Sequence, residues 1–543
     1  MHLCGDVGNL ILRYMSRWYP VVASAGMFMV PCTWLSAQPA GADGTRTRCS
    51  AAVRPFDAAS GLTSRADSGH FLLPLASRDA VRCEEESHPH GSPKRLRIVF
   101  PSLSMSAAGG IPDSRGDGAQ WAGRGLSAMV RTGVTMDAGA FHLALAPELW
   151  STENRSFDIL PSGSVSERTD RSSVASPFYY GAHSLDLPSR MGVAPVRVAS
   201  PGQSALWLSL RGADLGVSSS NLWWGPGLRD GLLLGPGAPG IPRVFVRTAR
   251  PQRTRLGNLS GEWFIGTLTE SRWFDADGSN DRRTLGAARI EWSPTRAPRF
   301  VLGGYRAVQR VRASTPLRTD IPDVWRSTVG RATDQMAGIF ASYTTPAMRA
   351  FVEVVSPHPP AGIRALLATP GDDRGYQMGV ERRILHGSSA WLLHAEVANT
   401  DPGISIRDRP ARDFYAGDVV PHGWTHRGQM LGAGIGPGGN SQWVAVDRVS
   451  PRFSIGGYAE RVRWNNEALT RLYLPTIFRH DVTARAGARG NLRASLVGHL
   501  YDIAVDASWG TRFNYLFQNT TWIRDFRTVD VRVPQLRLTV SPR

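Results

Sequence analysis

Asn221-Leu222-Trp223-Trp224-Gly225-Pro226-Gly227, running on as Leu228-Arg229-Asp230-Gly231-Leu232-Leu233-Leu234, sets two adjacent tryptophans against a Gly-Pro-Gly turn. Pro fixes one backbone angle and Gly permits positive φ, so the turn is stiff and specified. The segments on either side read as β-strands. Successive side chains of a strand point to opposite faces, so the two rings cannot share one side. Two readings follow. In one, a ring anchors at a membrane interface while its neighbour packs on the turn; in the other, the pair forms a platform for a ligand.

Working outward from this turn, the chain from residue 96 reads as strands separated by Gly, Pro, Asn and Asp clusters. Leu206, Leu208 and Leu210 alternate with Trp207, Ser209 and Arg211. Phe141, Leu143 and Leu145 alternate with His142, Ala144 and Ala146, and Ile503, Val505, Ala507 and Trp509 with Asp502, Ala504, Asp506 and Ser508. Alternation of period two puts one set outward and one inward. The apolar set meets lipid in a membrane barrel and forms the core in a soluble sandwich. Length, an export leader and the lack of domain breaks favour the barrel: an all-β transmembrane antiparallel barrel of about 16–18 strands with long outer loops. The long loops are expected at 151–204, 221–240, 311–335, 400–427 and 464–480. Near the end, Val529-Asp530-Val531-Arg532-Val533 alternates, and after Pro534 the apolar set moves to Leu536, Leu538 and Val540, which predicts a bulge at Pro534. The final Ser541-Pro542-Arg543 lacks the terminal aromatic common in outer-membrane barrels.

Three domains are expected: residues 1–37 as a signal peptide, 38–95 as an irregular periplasmic segment and 96–543 as the barrel. Arg13 and Arg17 precede the apolar run Val21–Val30, and Leu35-Ser36-Ala37 offers small residues for cleavage. Translation could start at Met1 or at Met15, which places a compact basic segment directly before that run. No apolar run long enough for a membrane helix, about 18 residues, follows residue 40. Cys4 and Cys32 fall in the leader; Cys49 and Cys83 could pair as one disulfide in an oxidising periplasm. His88 and His90 flank Pro89 in a polar stretch that reads as exposed linker, so no metal site is expected.

The 543 residues carry a net charge of +17, and Lys94 is the only lysine among 62 basic residues. Arg for Lys throughout fits a GC-rich genome, but the surface remains basic and attracts polyanions. No helix-turn-helix, zinc-finger spacing or basic helix is present, so nucleic acid is excluded as a partner. No Gly-x-Ser-x-Gly elbow, His-Glu-x-x-His or spaced Cys/His set appears, which leaves the chain without a catalytic motif or a cofactor site. Gly436-Pro437-Gly438-Gly439 lacks the following Lys-Ser/Thr of a phosphate loop.

Two further blocks flank the Trp223-Trp224 block, which is the second of three in chain order: the first is Gly116-Asp117-Gly118-Ala119-Gln120-Trp121-Ala122-Gly123-Arg124-Gly125 and the third Gly423-Trp424-Thr425-His426-Arg427-Gly428-Gln429-Met430-Leu431-Gly432. In this order the three blocks resemble the Wzi family of capsule-assembly proteins, outer-membrane β-barrels of Gram-negative bacteria. The resemblance implies about 18 strands and a lectin-like role in attaching or organising capsule or exopolysaccharide at the cell surface. Better-known members carry a small helical bundle before the barrel, and its amphipathic pattern is not seen here. Each block sets tryptophan beside arginine, a pairing suited to sugar, with flat rings for C–H faces and a planar fork for carboxylates; the other reading is that Gly-rich turns with tryptophan are architectural and pack one strand end on the next. The candidate polysaccharide-binding residues are therefore Trp121, Arg124, Trp223, Trp224, Arg229, Trp424, His426 and Arg427. The partners expected are an acidic surface polysaccharide and outer-membrane lipid with lipopolysaccharide, bound by a monomer. The competing function is a general or anion-selective porin with an arginine-lined lumen.

Overall fold

The computed structural model describes residues 95–542 except 113–117, 158–184, 276, 312–332, 346, 358, 360–363, 365–373, 388, 402–413, 418, 451–452, 469–478, 497–498 and 518–529. The expected leader, the segment 38–94 and the Cys49–Cys83 pair lie outside the described residues.

Eighteen staves form one closed antiparallel sheet, the upper end of the expected count. They are β1 (Arg95–Ala108), β2 (Gly125–Ala138), β3 (Phe141–Leu145 continued by Glu148–Thr152), β4 (Val196–Ser200 continued by Ala205–Leu210), β5 (Ala213–Ser218) and β6 (Arg243–Thr248 continued by Gln252–Thr254). Next come β7 (Gly257–Thr269), β8 (Arg282–Pro294), β9 (Phe300–Val311), β10 (Asp334–Thr344), β11 (Met348–Ser356) and β12 (Gly375–His386). The circuit ends with β13 (Ser389–Asn399), β14 (Asn440–Val449), β15 (Phe453–Trp464), β16 (Asp481–Leu496), β17 (His499–Phe513) and β18 (Val531–Arg532 continued by Gln535–Pro542). Each stave pairs with its sequence neighbours, and β1 closes on β18 through Leu103↔Val540 to Ala108↔Gln535. Closure leaves no long free edge and satisfies the backbone inside a bilayer.

Connections alternate in length. Arg211 and Gly212, both at positive φ, join β4 to β5 as a two-residue turn, so Arg211 belongs to the turn and not to the inward row. At the other end, residues 219–242 join β5 to β6 and 400–439 join β13 to β14. In outer-membrane barrels the short turns are periplasmic and the long loops extracellular, and that rule orients this one. Outward positions carry an apolar belt: Ile339 is 67% exposed, Ile455 60% and Val444 54%. This excludes the soluble sandwich, which would bury them.

Two expectations are corrected. There is no bulge at Pro534: Thr511↔Arg532 and Ser508↔Gln535 lie on one continuous register, interrupted only in its hydrogen bonding. Val533 faces inward, where it packs with Ile111 and Tyr515, while Leu536 and Leu538 stay on the lipid side. The apolar set changes face because the inside of the barrel is itself apolar at that level. Second, 221–240 and the end of 400–427 are not solvated outer loops, because both fold into the lumen.

Candidate functional site

The loop between β5 and β6 enters the barrel with Trp223 and Trp224 both buried, so neither ring sits at the lipid interface. Trp224 Nε1 donates to Glu262 Oε2 of β7 at 3.3 Å, and its ring meets Phe264 edge-on at 5.5 Å. The Gly-Pro-Gly turn reaches deepest. Gly225 has φ +103°, and a Cβ there would lie 2.5 Å from a carboxylate oxygen of Glu353, so both backbone and space require glycine. Pro226 O accepts from Arg349, one residue from the short-turn end of β11. The amides of Leu228 and Arg229 donate to Glu396, and Gln377 donates to Asp230 O at 3.2 Å. Wall side chains thus satisfy loop backbone that has left both sheet and water.

The loop before β14 packs against the first. Tyr415 Oη donates to Leu232 O at 2.7 Å and accepts from Ala433 N at 2.9 Å; Gly235 N bonds Leu431 O at 2.7 Å. Its two-rung hairpin, Thr425–His426 against Gln429–Met430, turns through Arg427 and Gly428, both at positive φ. Trp424 is 1% exposed. Arg283 of β8, itself fully buried, donates to the carbonyls of Gly423 and Thr425 at 2.9 and 2.8 Å. These loops and the inner faces of β6–β13 share one apolar core that includes Leu232, Leu233, Leu234, Phe264, Leu285, Met336 and Phe340.

Three loops meet at a polar junction above this core. Asp186 accepts from Ser271 N at 2.7 Å and Ser271 Oγ at 2.6 Å, and its own amide donates to His422 O at 3.0 Å. His422 Nε2 pairs with Glu270. Burial pushes the Glu270 carboxyl up to about 7, aided by Asp275 and Asp281. Burial, then the Arg283 charge, pushes His422 down to about 4. His426 accepts from Thr269 N at 3.0 Å through Nδ1; burial, then Arg427 and Arg283, hold it down at about 3, so it is a neutral structural ring.

The first block stands apart. Trp121 is buried with Met129, Trp150 and Met191, and Gly123 N donates to Thr152 Oγ1 at 3.2 Å. Gly118 N reaches Pro236 O of the first loop at 2.7 Å, which joins the three blocks. Of the eight candidate residues, the rings of Trp121, Trp223, Trp224, Trp424 and His426 are buried, and solvent reaches Arg124, Arg229 and Arg427. The sequence left these rings open between a ligand platform and packing on their turns; they fill the lumen, because each removes more apolar surface from water against Phe264 or Met129 than at a rim. The residues that sequence reasoning missed are the wall groups that hold the loops: Glu262, Arg283, Arg349, Glu353 and Glu396, with Asp186 and His422 at the junction.

A closed barrel with a lipid-facing apolar belt and long loops at one end defines an outer-membrane β-barrel, here with much of its lumen filled by its own loops. Residues 202–453 match the model of the family described as capsule assembly protein Wzi. The segment contains the second and third blocks; the first lies outside it. The fold is similar to a solved structure described as Wzi, an outer membrane protein involved in group 1 capsule assembly in Escherichia coli and a carbohydrate-binding β-barrel. The TM-score is 0.58 at 10% identity, with 90% of this chain and 96% of that one covered. A BenF-like porin from Pseudomonas fluorescens Pf-5 aligns with TM-score 0.38 at 8% identity, over 83% of this chain and 99% of that one. No curated protein sequence matches the chain.

Proposed function

We propose that the protein binds an acidic surface polysaccharide at its long-loop face and helps attach or organise it at the cell surface. The observation that carries this reading is the filled lumen: a barrel that spends two long loops on closing itself offers its outer face for binding. The match of residues 202–453 to a capsule assembly family supports the same reading. Arg124 and Arg427, solvent-reached members of two blocks, supply forked donors for carboxylates. The buried tryptophans act beneath them by fixing the loops. At the lipid boundary Arg532 lies 6.0 Å from the exposed Trp509 ring, an amphipathic pair suited to lipid headgroups and lipopolysaccharide phosphate. The closed sheet needs no second copy, which favours a monomer.

An anion-selective porin is less well supported. Inner-wall arginines are paired: Arg131 with Glu148, Arg247 with Asp214, Arg349 with Glu381, and Arg489 with Asp447. The test is salt-dependent binding of the folded barrel to polysaccharide from the source cells, with Arg124→Gln/Arg427→Gln as the variant. Binding that falls with added salt and drops at least tenfold in the variant is the expected result. A folded wild type that binds nothing yet carries steady current in planar bilayers would replace this reading with the porin.

A further inference from the structure

The inner wall has a second face that the described residues of the two inward loops do not cover. From β7 to β14 nearly every inward side chain is buried; on β15–β18 and β1 the long-loop end is buried too, through Val462, Trp464 and Thr483, as are Asp502 and Ser541, whereas Tyr458, Arg489, Arg493, Asp506, Arg537 and Ser104 keep partial exposure. The exposure has a direction. Along β16, Asp481 at the long-loop end is 0% exposed, the Arg485 side chain 6%, and those of Arg489 and Arg493 each 24% towards the short-turn end. Ile111, Tyr515 and Val533 close the outer end of the same wall. The lane is therefore blind: shut at the long-loop side and wet towards the short turns.

Its inner border carries recognition chemistry. Arg489 grips Asp447 through Nε and Nη2, at 2.8 and 2.5 Å, and so keeps Nη1 without a partner among the described residues. Its guanidinium lies 5.4 Å from the Trp443 ring centroid, and Arg229, from the tip of the first loop, lies at the same distance. Trp443 is 5% exposed, and its Nε1 donor has no hydrogen-bond partner among the described residues. Asp502 and Asp506 also face the lane, so it is polar and mixed in sign and not a uniform anion path.

We propose that this lane is a binding site, entered from the short-turn side, for a carboxylate-bearing sugar of about monosaccharide size, with Arg489 on the carboxylate. It is separate from the long-loop face and does not depend on the reading of that face. The experiment is calorimetric titration of the full-length barrel in detergent with galacturonate, and with galactose as the neutral control. Arg489→Gln, Ser104→Trp and Arg427→Gln are compared with wild type. Ser104 faces the lane from β1 and its hydroxyl bonds Thr539, with no ion pair among the described residues, so a tryptophan there fills the space and leaves the ion pairs intact. Saturable galacturonate binding is expected, at least tenfold stronger than galactose, weakened at least tenfold by Arg489→Gln and by Ser104→Trp, and unchanged by Arg427→Gln. Should Arg489→Gln fail to fold, Ser104→Trp decides alone. Absence of saturable binding, equal binding of galactose, or binding indifferent to the lane variants would overturn the proposal. Galacturonate bound normally by a barrel that ignores the polymer would overturn only the long-loop reading.

Discussion

The two sides of this barrel's inner wall solve one problem differently. From β7 to β14 the wall presents Phe264, Leu285, Ala307, Met336 and Phe340, and the chain supplies Trp224, Leu232–Leu234, Tyr415 and Trp424 to cover them. From β15 to β1, below the buried Val462 and Trp464, the wall presents arginine, aspartate and serine, several of which keep partial exposure. An apolar inner face has to be filled from within the molecule, because nothing else in the lumen can bury it. A polar one with paired charges can remain wet. The ionisable groups differ to match. On the filled side Arg349 is 1% exposed and commits itself to Glu381 and a loop carbonyl; on the wet side Arg493, paired with Asp502, is 24% exposed.

This contrast can be broken most sharply at Trp224. Trp224→Ala removes a fully buried ring from the shared core and is expected to lower stability by about 3–5 kcal/mol, read from the denaturant midpoint. Tyr458→Phe on the wet side, which deletes one bond to Asp506, should cost about 1 kcal/mol. Equal losses would mean that the two sides are not energetically distinct.

Arg349→Ala leaves the buried Glu381 with His394 alone, at 3.2 Å, and frees Pro226 O, and a loss of about 3 kcal/mol is expected. The matching Arg493→Ala should move the midpoint by less than about 1 kcal/mol. A severe loss from Arg493→Ala would show that the lane is packed and not solvated.

The junction above the filled side gives a pH signature. Unfolded, His422 and His426 titrate near 6.5 and Glu270 near 4.5; folded, they titrate near 4, 3 and 7. Between pH 4.5 and 6.5 the unfolded chain therefore holds two histidine protons that the fold lacks, and lacks the one Glu270 keeps. Net proton uptake on unfolding means that these groups lose stability as pH falls through that window. From 6.5 to 7 only Glu270 still differs strongly, and rising pH weakens its share. Glu270→Gln removes the opposing proton, so the acid slope of the unfolding midpoint should steepen towards twice the wild-type value. An unchanged slope would remove Glu270 from the junction's proton balance.

How legible each side was follows from the same contrast. Ile503, Val505 and Trp509 against Asp502, Asp506 and Ser508 give period two plainly, because one face meets lipid and the other water. β10 and β11 do not: Met336 and Phe340 point inward while Ile339 points outward, and Phe351 and Val355 back Val352 and Val354. A strand apolar on both faces in a membrane barrel signals a filled lumen, and that signal was present but unread. The three blocks carried the resemblance to the Wzi family, yet left their tryptophans open between ligand platform and packing, because a ring beside an arginine reads alike whether the loop turns outward or inward.

By itself the sequence determined the closed antiparallel barrel, its strand number to within two and the lipid-facing set, and it carried the resemblance to the Wzi family. Those properties rest on local alternation and on short turns such as Arg211-Gly212, which act between neighbours in the chain. Only the tertiary structure decided that residues 219–242 and 414–439 fold inward, that the tryptophans are core, and that one side of the lumen stays wet. Those outcomes depend on partners such as Glu262 for Trp224, Arg283 for Gly423 and Glu396 for Arg229, between 38 and 167 positions away in sequence. No local pattern reports such pairings, because the barrel has to close before its inner wall exists for a loop to meet.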